Sequence, residues 1–202
     1  MKEFWNTRYA EEEFAYGTEP NEFYRQEIQK LQPGKILFPA EGEGRNAVYA
    51  AILGWDAVAF DQSESAKMKA EKLAADRGVQ IRYQVADLKN FEAKSESFDA
   101  LVLIFAHFPA ALRKEFHQKL IGYLKPGGTL ILEGFSKSHI QFNSVNEKAG
   151  GPKDVSMLFS KEEMEADFAD LTEIHVTELE TELEEGRYHV GKSAVIRVVG
   201  KK

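Results

Sequence analysis

Three acidic side chains follow strand-like stretches of the chain and are the residues best placed to do chemistry. Glu41, Asp61 and Asp87 each come at the end of a run that is apolar or alternates between apolar and polar residues. Such runs are typical of strands. Because parallel strands place ligands at their carboxyl ends, we expect the three carboxylates to face one crevice of an α/β sheet.

Two glycines directly after Glu41 predict a tight turn between a strand and a helix. Gly42 and Gly44 connect the apolar stretch 35–38 to a helical stretch, and with Ala47 they satisfy the dinucleotide pattern GxGxxG/A. A dinucleotide would bring its pyrophosphate against the Glu41 carboxylate, which is unfavourable in a partly desolvated crevice. A ligand with an ammonium group and no phosphate suits this turn better. S-adenosylmethionine, which has a nucleoside, a sulfonium and an amino-acid tail, is such a ligand.

The other two carboxylates suit the nucleoside part of such a ligand. Asp61 lies about twenty positions beyond the glycines, where α/β units bind ribose hydroxyls, and a carboxylate accepts hydrogen bonds from both vicinal hydroxyls. Alternatively, Asp61 only places negative charge before the helix that Ser63 begins. Asp87 would accept a hydrogen bond from the exocyclic amine of adenine, and a simple turn residue is its alternative role.

His107 is the first candidate for acid–base chemistry. The most apolar strand-like stretch runs straight into the loop that carries it, so we expect His107 in the crevice as a catalytic base and substrate contact. A lone histidine is nevertheless often structural. Arg187 and His189 either line the substrate mouth or lie on a surface edge, and His189 is the second candidate base. We assign no role to His117.

Composition limits the classes of partner. The chain has 202 residues, a net charge of -7 and no cysteine. The negative charge argues against nucleic acid and anionic membranes as partners, and the lack of cysteine excludes disulfides, thiolate metal sites and cysteine nucleophiles. No metal site is expected. With no long apolar run and no signal peptide at the amino terminus, we expect a cytoplasmic protein with a small-molecule substrate.

The chain is predicted to fold as a single domain, 1–202, in which residues 1–33 form a helical, aromatic-rich cap on a core of residues 34–202. Residues 20–31 have the spacing of an amphipathic helix. Residues 4–17 are either a lid that closes aromatic rings over a ligand or a simple cover.

The C-terminal part is predicted to end in an antiparallel hairpin. Residues 135–159 are polar without a clear period and are either a mobile substrate loop or locally ordered. Ser160 begins a capping box and a helix. Alternating stretches at 171–179 and 188–199 read as two strands, and the acidic residues 180–186 between them read as a solvated turn.

Motifs along essentially the entire chain resemble those of class I S-adenosylmethionine-dependent methyltransferases. They are EGEG at 41–44, Asp61, Asp87, FDALVLIFAHFP at 98–109, LKPGG at 124–128 and the terminal hairpin. More narrowly, the chain is similar to the tellurite-resistance/thiopurine methyltransferase-like branch. The segments that carry this similarity are FWNTRY at 4–9, FAYGTEPNEF at 14–23, EGEGRNAVYAA at 41–51, IFAHFP at 104–109 and RYHVGKSAVIRVVG at 187–200.

This resemblance implies a Rossmann-like, doubly wound α/β sheet of seven strands in the order 3-2-1-4-5-7-6, with strand 7 antiparallel and helices on both faces. It also implies that the first glycine turn contacts the methionyl part of the cofactor, that Asp61 contacts the ribose, and that Asp87 and Leu88 contact the adenine. The full expected cofactor-binding set is Trp5, Arg8, Tyr9, Tyr16, Ala40, Glu41, Gly42, Gly44, Arg45, Asn46, Asp61, Gln62, Ser63, Ala86, Asp87, Leu88 and Phe105.

The expected activity is transfer of a methyl group to a small molecule. One class of acceptor is a soft sulfur, selenium or tellurium nucleophile, which needs little help from a base. An oxygen or nitrogen acceptor would need one. Two alternatives stay open. One is a non-catalytic module that only binds the cofactor, and the other, less favoured, is a nicotinamide-dependent oxidoreductase. The sequence specifies neither the acceptor nor an oligomeric state.

Overall fold

Seven strands form one sheet in the computed structural model, which describes residues 2–202. The strands are β1 (Lys35–Pro39), β2 (Asp56–Asp61), β3 (Arg82–Val85), β4 (Phe98–Ile104), β5 (Leu124–Phe135), β6 (Thr172–Glu185) and β7 (His189–Lys201). Their order in the sheet is β3-β2-β1-β4-β5-β7-β6. β7 runs antiparallel to β5 and β6, and the pairs among β1 to β5 are parallel. The predicted order and the antiparallel seventh strand are confirmed.

Helices cover both faces of this sheet. The α-helices of the described residues are α1 (Lys2–Tyr9), α2 (Glu22–Ile28), α3 (Arg45–Ile52), α4 (Glu64–Asp76), α5 (Ala110–Tyr123), α6 (Ile140–Asn143) and α7 (Lys161–Asp167). Ser63 caps α4 by accepting a hydrogen bond from the amide of Ala66. Ser160 and Glu163 form the capping box that the sequence predicts at the start of α7.

The central strands are buried on both faces, because successive residues point in opposite directions. Leu37 belongs to a cluster that includes Leu120 of α5. Its neighbour Phe38 belongs to a second cluster, with Tyr24 of α2 and Ala47 of α3. Sandwiched in this way, the strands read as continuous apolar runs, which is why the sequence reveals them so clearly.

The C-terminal hairpin is longer than predicted. β6 continues to Glu185, which pairs with His189 of β7. The solvated turn predicted for residues 180–186 is therefore wrong, and only residues 186–188 make the turn. β6 is an edge strand whose side chains are mostly exposed or half-buried, so its acidic residues do not show the apolar alternation of a strand.

Residues 135–159 are locally ordered rather than a structureless loop. β5 extends to Phe135, and α6 and short 3-10 turns follow. Asn143 is fully buried and donates hydrogen bonds to the carbonyls of Gly150 and Pro152, both at 3.1 Å. Hydrogen bonds from side chains to the backbone order this segment, which explains why it shows no apolar period.

None of the helices within residues 2–202 has both the length and the apolar character needed to cross a membrane. The same residues contain no group of three or more His, Asp or Glu side chains arranged to hold a metal ion.

Candidate functional site

A cavity of about 350 Å³ opens at the carboxyl ends of β1, β2 and β3, next to helix α1. Small-molecule sites usually measure roughly 300–1,000 Å³. Its walls come from α1, from the loops after these strands, from the loop after β4 and from the start of α5. The lining residues are Trp5, Tyr9, Ala40, Phe60, Asp61, Gln62, Ala86, Asp87, Leu88, Lys89, His107, Phe108, Pro109, Leu112 and Phe116.

The turn after β1 needs glycine at both predicted positions. Gly42 and Gly44 have φ values of 65° and 88°, which disfavour other residues. A Cβ at Gly42 would lie 2.7 Å from Tyr9 Oη, and a Cβ at Gly44 would lie 2.5 Å from the Cβ of Ala70 on α4. The first glycine therefore lets α1 close over the turn, and the second lets α3 and α4 pack together.

Glu41 lies half-buried at the amino end of α3. Its Oε1 accepts hydrogen bonds from the amides of Asn46 at 2.9 Å and Ala47 at 2.8 Å. Burial nevertheless raises the pKa of Glu41 to about 7, against the opposing effect of these amides and of Arg45. Because both amides donate to Oε1, Oε2 has no backbone donor among the described residues and is available to a cation.

Asp61 ends β2 and lines the cavity, with only 7% of the residue exposed. Its carboxylate accepts hydrogen bonds from the amides of Gly42 at 3.2 Å and Ser63 at 2.9 Å. Burial raises the pKa of Asp61 to about 6, although these amides oppose the shift. A carboxylate has about four acceptor positions, so two amides leave capacity for a pair of hydroxyls.

The third predicted acidic residue also reaches the cavity. Asp87 lines it, is exposed to solvent, and accepts a hydrogen bond from the amide of Asn90 at 3.0 Å. This is the turn role that the sequence left as its alternative, and it occupies one oxygen only. The neighbouring Leu88 is buried and supplies an apolar wall.

Sequence reasoning missed most of the apolar wall on the α5 side. Phe60, Phe108, Pro109, Leu112 and Phe116 all line the cavity. Their positions in the sequence gave a usable signal. Phe60 directly precedes Asp61 in β2, and Phe108 and Pro109 follow His107 in the same loop. Leu112 and Phe116 of α5 give no separate signal, since the same helical face serves both core and cavity. Together these side chains offer an apolar surface to a flat ring.

His107 lines the cavity, but both of its ring nitrogens are engaged by the backbone. Nδ1 lies 2.8 Å from the carbonyl oxygen of Met157, and Nε2 accepts a hydrogen bond from the amide of Phe135 at 3.1 Å. Burial lowers the pKa of His107 to about 4. A base needs a free lone pair, and this ring has none in the structure. The catalytic role of His107 stays a prediction that this geometry disfavours.

His117, to which the sequence analysis assigns no role, belongs to a buried polar cluster. The side chain is fully buried, and its Nδ1 lies 2.9 Å from Asp167 Oδ2, which Arg113 also contacts. The three residues join α5 to α7. Because they do not line the cavity, we consider them structural.

The N-terminal residues cross the carboxyl edge of the sheet, as a cap would. Asn6 of α1 accepts hydrogen bonds from Ser63 Oγ at 2.6 Å and from the amide of Glu64 at 3.1 Å. The ring of Trp5 stacks on Tyr9 at 5.4 Å. The predicted lid region therefore begins with a helix, and these two aromatic rings form part of the cavity wall.

A second group of polar residues lies on the β6 side of the same edge. Glu185 Oε2 is 2.8 Å from Arg45 Nη2, and its Oε1 accepts a hydrogen bond from Asn21 at 2.9 Å. Asn21 also donates to Glu133 Oε1 at 2.7 Å, and His189 Nδ1 lies 3.1 Å from Glu185 Oε2. These groups connect α3, β5, β6 and β7 through one largely buried network.

The predicted cofactor-binding residues thus fall into two groups. The cavity is lined by Trp5, Tyr9, Ala40, Asp61, Gln62, Ala86, Asp87 and Leu88. The others, which support the turn after β1 or lie toward β6, are Arg8, Tyr16, Glu41, Gly42, Gly44, Arg45, Asn46, Ser63 and Phe105. Of the predicted substrate contacts, only His107 lines the cavity; Arg187 is exposed and pairs with Glu11 at 2.8 Å, and His189 is buried.

Residues 36–128 match the family model described as a methyltransferase domain. The matched range runs from β1 into β5 and contains the glycine turn, Asp61, Asp87 and His107. It therefore includes most of the cavity wall, apart from the contribution of α1.

Two curated proteins match part of the chain. The 2-heptyl-1-hydroxyquinolin-4(1H)-one methyltransferase of Mycobacteroides abscessus is 31% identical over 108 residues, which cover 52% of this chain and 48% of the relative. Hemagglutinin 1 of Eikenella corrodens is 27% identical over 106 residues, which cover 52% of this chain and 35% of the relative. The chain spans about half the length of the first relative and less of the second.

Solved structures share the fold over most of the chain. A protein from work on the conversion of a disulfide bond into a thioacetal group during echinomycin biosynthesis has a TM-score of 0.79 and 17% identity, with 100% of this chain and 91% of that chain covered. TehB from Haemophilus influenzae has a TM-score of 0.71 and 16% identity, with 100% and 66% covered. The plantazolicin methyltransferase BpumL, solved in complex with SAH, has a TM-score of 0.64 and 14% identity, with 89% and 80% covered.

At these identities the solved structures establish the fold alone, which is that of the Rossmann-like methyltransferases. Together with the methyltransferase-domain match, they support S-adenosylmethionine as the cofactor.

Proposed function

We propose that this chain, which has the fold of class I methyltransferases and a match to the methyltransferase domain over residues 36–128, is an S-adenosylmethionine-dependent methyltransferase acting on a small molecule. One observation carries the proposal. At a single sheet edge, the buried carboxylate of Asp61 lines an apolar cavity and accepts a hydrogen bond from Gly42 of the glycine turn. Glu41, whose Oε2 has no backbone donor among residues 2–202, begins the same turn.

The residues present fit the cofactor. Glu41 Oε2 suits the ammonium of the amino-acid tail. Asp61 suits the ribose hydroxyls. The apolar walls around Leu88 and Phe108 suit the adenine ring, whose amine would reach Asp87. A dinucleotide fits less well, because its pyrophosphate would meet the carboxylate of Glu41 at the turn.

Bound S-adenosylmethionine would supply a methyl group on a positively charged sulfur, which is an activated leaving group. The chain then has to align the acceptor with that methyl group and to exclude water. Trp5 and Tyr9 of α1 close one side of the cavity and are suited to the second task. His107 holds the loop after β4 against the segment 157–159 rather than moving a proton.

The acceptor is proposed as one of two chemical classes. The motifs that resemble the tellurite-resistance/thiopurine methyltransferase-like branch favour a soft sulfur, selenium or tellurium nucleophile. The curated relative is named for a hydroxylated quinolone, which favours an acidic hydroxyl. A cofactor-binding module without catalysis is the remaining alternative, and it differs by binding the cofactor without transferring its methyl group.

The proposal is tested with S-adenosylmethionine labelled in its methyl group and a panel of thiols, selenite, tellurite and phenols. We expect label in at least one methylated product. Asp61→Ala should weaken cofactor binding by about tenfold or more, because charge-assisted hydrogen bonds of roughly 1.5–3 kcal/mol are lost. Asp56→Ala, at the opposite end of the same strand and outside the cavity, is the control and should bind normally. Tight binding with no transfer to any acceptor would favour the non-catalytic module.

A further inference from the structure

We propose that His189, oriented by Glu185, is the base that accepts a proton from a hydroxyl acceptor. The proposal rests on the methyltransferase function and specifies the acceptor class of the same site. It is carried by the buried contact between the two side chains and by the unpaired Nε2 at the other edge of the ring.

The contact with Glu185 fixes which nitrogen of His189 carries the proton. Nδ1 lies 3.1 Å from Glu185 Oε2. An ionised carboxylate can only accept hydrogen bonds, so Nδ1 must be the protonated nitrogen of the neutral ring. The lone pair of the neutral ring is then on Nε2. This pairing of a histidine with a carboxylate is the arrangement that orients an imidazole base.

Glu185 is well placed to remain ionised. The Glu185 side chain is only 11% exposed, and burial alone would raise its pKa. Arg45 at 2.8 Å and His189 outweigh this effect and hold the pKa of Glu185 at about 2. Asn21 fixes the other carboxylate oxygen. Burial lowers the pKa of His189, and the negative charge of Glu185 opposes this effect by stabilising a proton on the ring.

The backbone of Gly150 packs closely against the Cδ2–Nε2 edge of the His189 ring. A Cβ at Gly150 would lie 2.6 Å from Cδ2 and 3.3 Å from Nε2 of this ring. Gly150 also has a φ of 72°, so both the lack of room for a Cβ and the backbone conformation favour glycine there. Within residues 2–202, Nε2 makes no hydrogen bond, and it is absent from the buried polar atoms without a partner. It is thus a free acceptor that is not sealed from its surroundings.

Two other histidines have both ring nitrogens occupied, and a third lies away from the cavity. Both ring nitrogens of His107 contact the backbone. His139 Nε2 lies 3.1 Å from the carbonyl of Gly150, and its Nδ1 accepts a hydrogen bond from the amide of Ala194 at 3.3 Å. His117 is fully buried away from the cavity. His189 alone among these four combines an orienting carboxylate with a free nitrogen that is not fully enclosed.

His189 does not itself line the cavity, but aromatic rings connect it to residues that do. Its ring is 5.1 Å from that of Phe135, which stacks at 5.8 Å on the cavity residue His107. On the other side, Tyr16 lies 4.4 Å away and packs in one cluster with the cavity residue Tyr9. Phe105, at the end of β4, is also 4.4 Å away. An acceptor between the cavity and His189 would be surrounded by aromatic rings, which suit a flat molecule.

The proposed step balances with the residues present. His189 Nε2 takes the proton of the acceptor hydroxyl, and the acceptor oxygen forms its bond to the methyl carbon. The bond between that carbon and sulfur breaks, with its electron pair remaining on sulfur. The imidazolium stays paired with Glu185 until it releases the proton to solvent. No oxidant, reductant or metal takes part.

A histidine base favours weakly acidic hydroxyls, such as phenols, over alkyl alcohols. A phenolic group has an ordinary pKa of about 10, whereas bulk water is near 16. Thiols, with ordinary pKa values of about 8.5, already supply some of their reactive anion at neutral pH. Loss of the base should therefore affect a phenol much more than the matched thiol.

The test uses 2-naphthol and 2-naphthalenethiol, which differ only in the reacting atom. His189→Asn keeps a side-chain amide that can donate to Glu185 and removes the base. We expect kcat with 2-naphthol to fall by about 10²-fold or more, with KM changed by less than about threefold. Transfer to 2-naphthalenethiol should fall by less than about tenfold. His175→Gln, an exposed histidine on β6, is the matched control and should behave as the wild type.

A second measurement reports on Glu185 without relying on turnover. Long-range ¹H–¹⁵N spectra of the histidine rings, assigned from the signal missing in His189→Asn, should show the Nδ1–H form at pH 7. Glu185→Gln should change that spectrum and lower 2-naphthol transfer, while S-adenosylhomocysteine binding persists in both variants. An Nε2–H ring in the wild type would overturn the proposal.

The outcomes also distinguish failure of the role proposed for His189 from failure of the proposed methyltransferase function. Equal loss of phenol and thiol transfer in His189→Asn would make the residue structural and overturn the role of base. So would methylation of the thiol alone by the wild type, which leaves the methyltransferase function intact. Failure of the wild type to bind S-adenosylhomocysteine would contradict the proposed function itself.

Discussion

At the scale of single residues, burial sets the chemistry of the candidate site more than the number of charges does. Glu41 and Asp61 are carboxylates in a confined crevice, and burial raises the pKa values of both. A positively charged ligand reverses part of this effect, because it favours the ionised carboxylate. Cofactor binding and carboxylate ionisation should therefore be coupled.

We predict that this coupling makes S-adenosylhomocysteine binding depend on pH near neutrality. The pKa of Glu41 is about 7, so the carboxylate is ionised above this pH and neutral below it. Affinity should fall as the pH is lowered from 8 to 6, and calorimetry over this range measures the change.

Glu41→Gln is the matched variant for that measurement. It preserves an oxygen for the amides of Asn46 and Ala47 but replaces the oxygen available to the ammonium. Binding at pH 8 should weaken by about tenfold or more, and the step near pH 7 should disappear. A pH profile identical to that of the wild type would remove Glu41 from the amino-acid part of the site.

At the scale of elements, a largely buried ion pair links the start of α3 to the end of β6. Arg45 and Glu185 have side chains that are 9% and 11% exposed, and they lie 140 positions apart in the chain. Such a pair contributes little net energy relative to an apolar contact, but removing one partner leaves a buried charge without compensation.

Arg45→Ala should therefore destabilise the protein by about 3–5 kcal/mol. Arg77→Ala is the control, because its pair with Glu19 has side chains that are 42% and 78% exposed, and its loss should cost less than about 1 kcal/mol. Urea unfolding followed by circular dichroism gives both values. Equal stability of the two variants would mean that the ion pair does not hold β6 to the site.

At the scale of the whole molecule, the sequence predicts those strands and helices whose apolar residues follow a regular spacing. Buried parallel strands read as apolar runs, so the glycine turn, Asp61 and Asp87 could be placed at one edge before the structure was known. Glu185 could not, because it lies in an exposed edge strand and its partner Arg45 is distant in the chain. The apolar wall at Phe108 was missed for a related reason, since a residue that faces a cavity has the same sequence pattern as one that faces the core.

The most direct test of the central proposal is calorimetric titration of the purified protein with S-adenosylhomocysteine, with NADH in a parallel experiment. The carboxylates at the turn and beside the cavity predict micromolar binding of S-adenosylhomocysteine and no binding of NADH. Binding of NADH alone would contradict both the role given to Glu41 and the methyltransferase function.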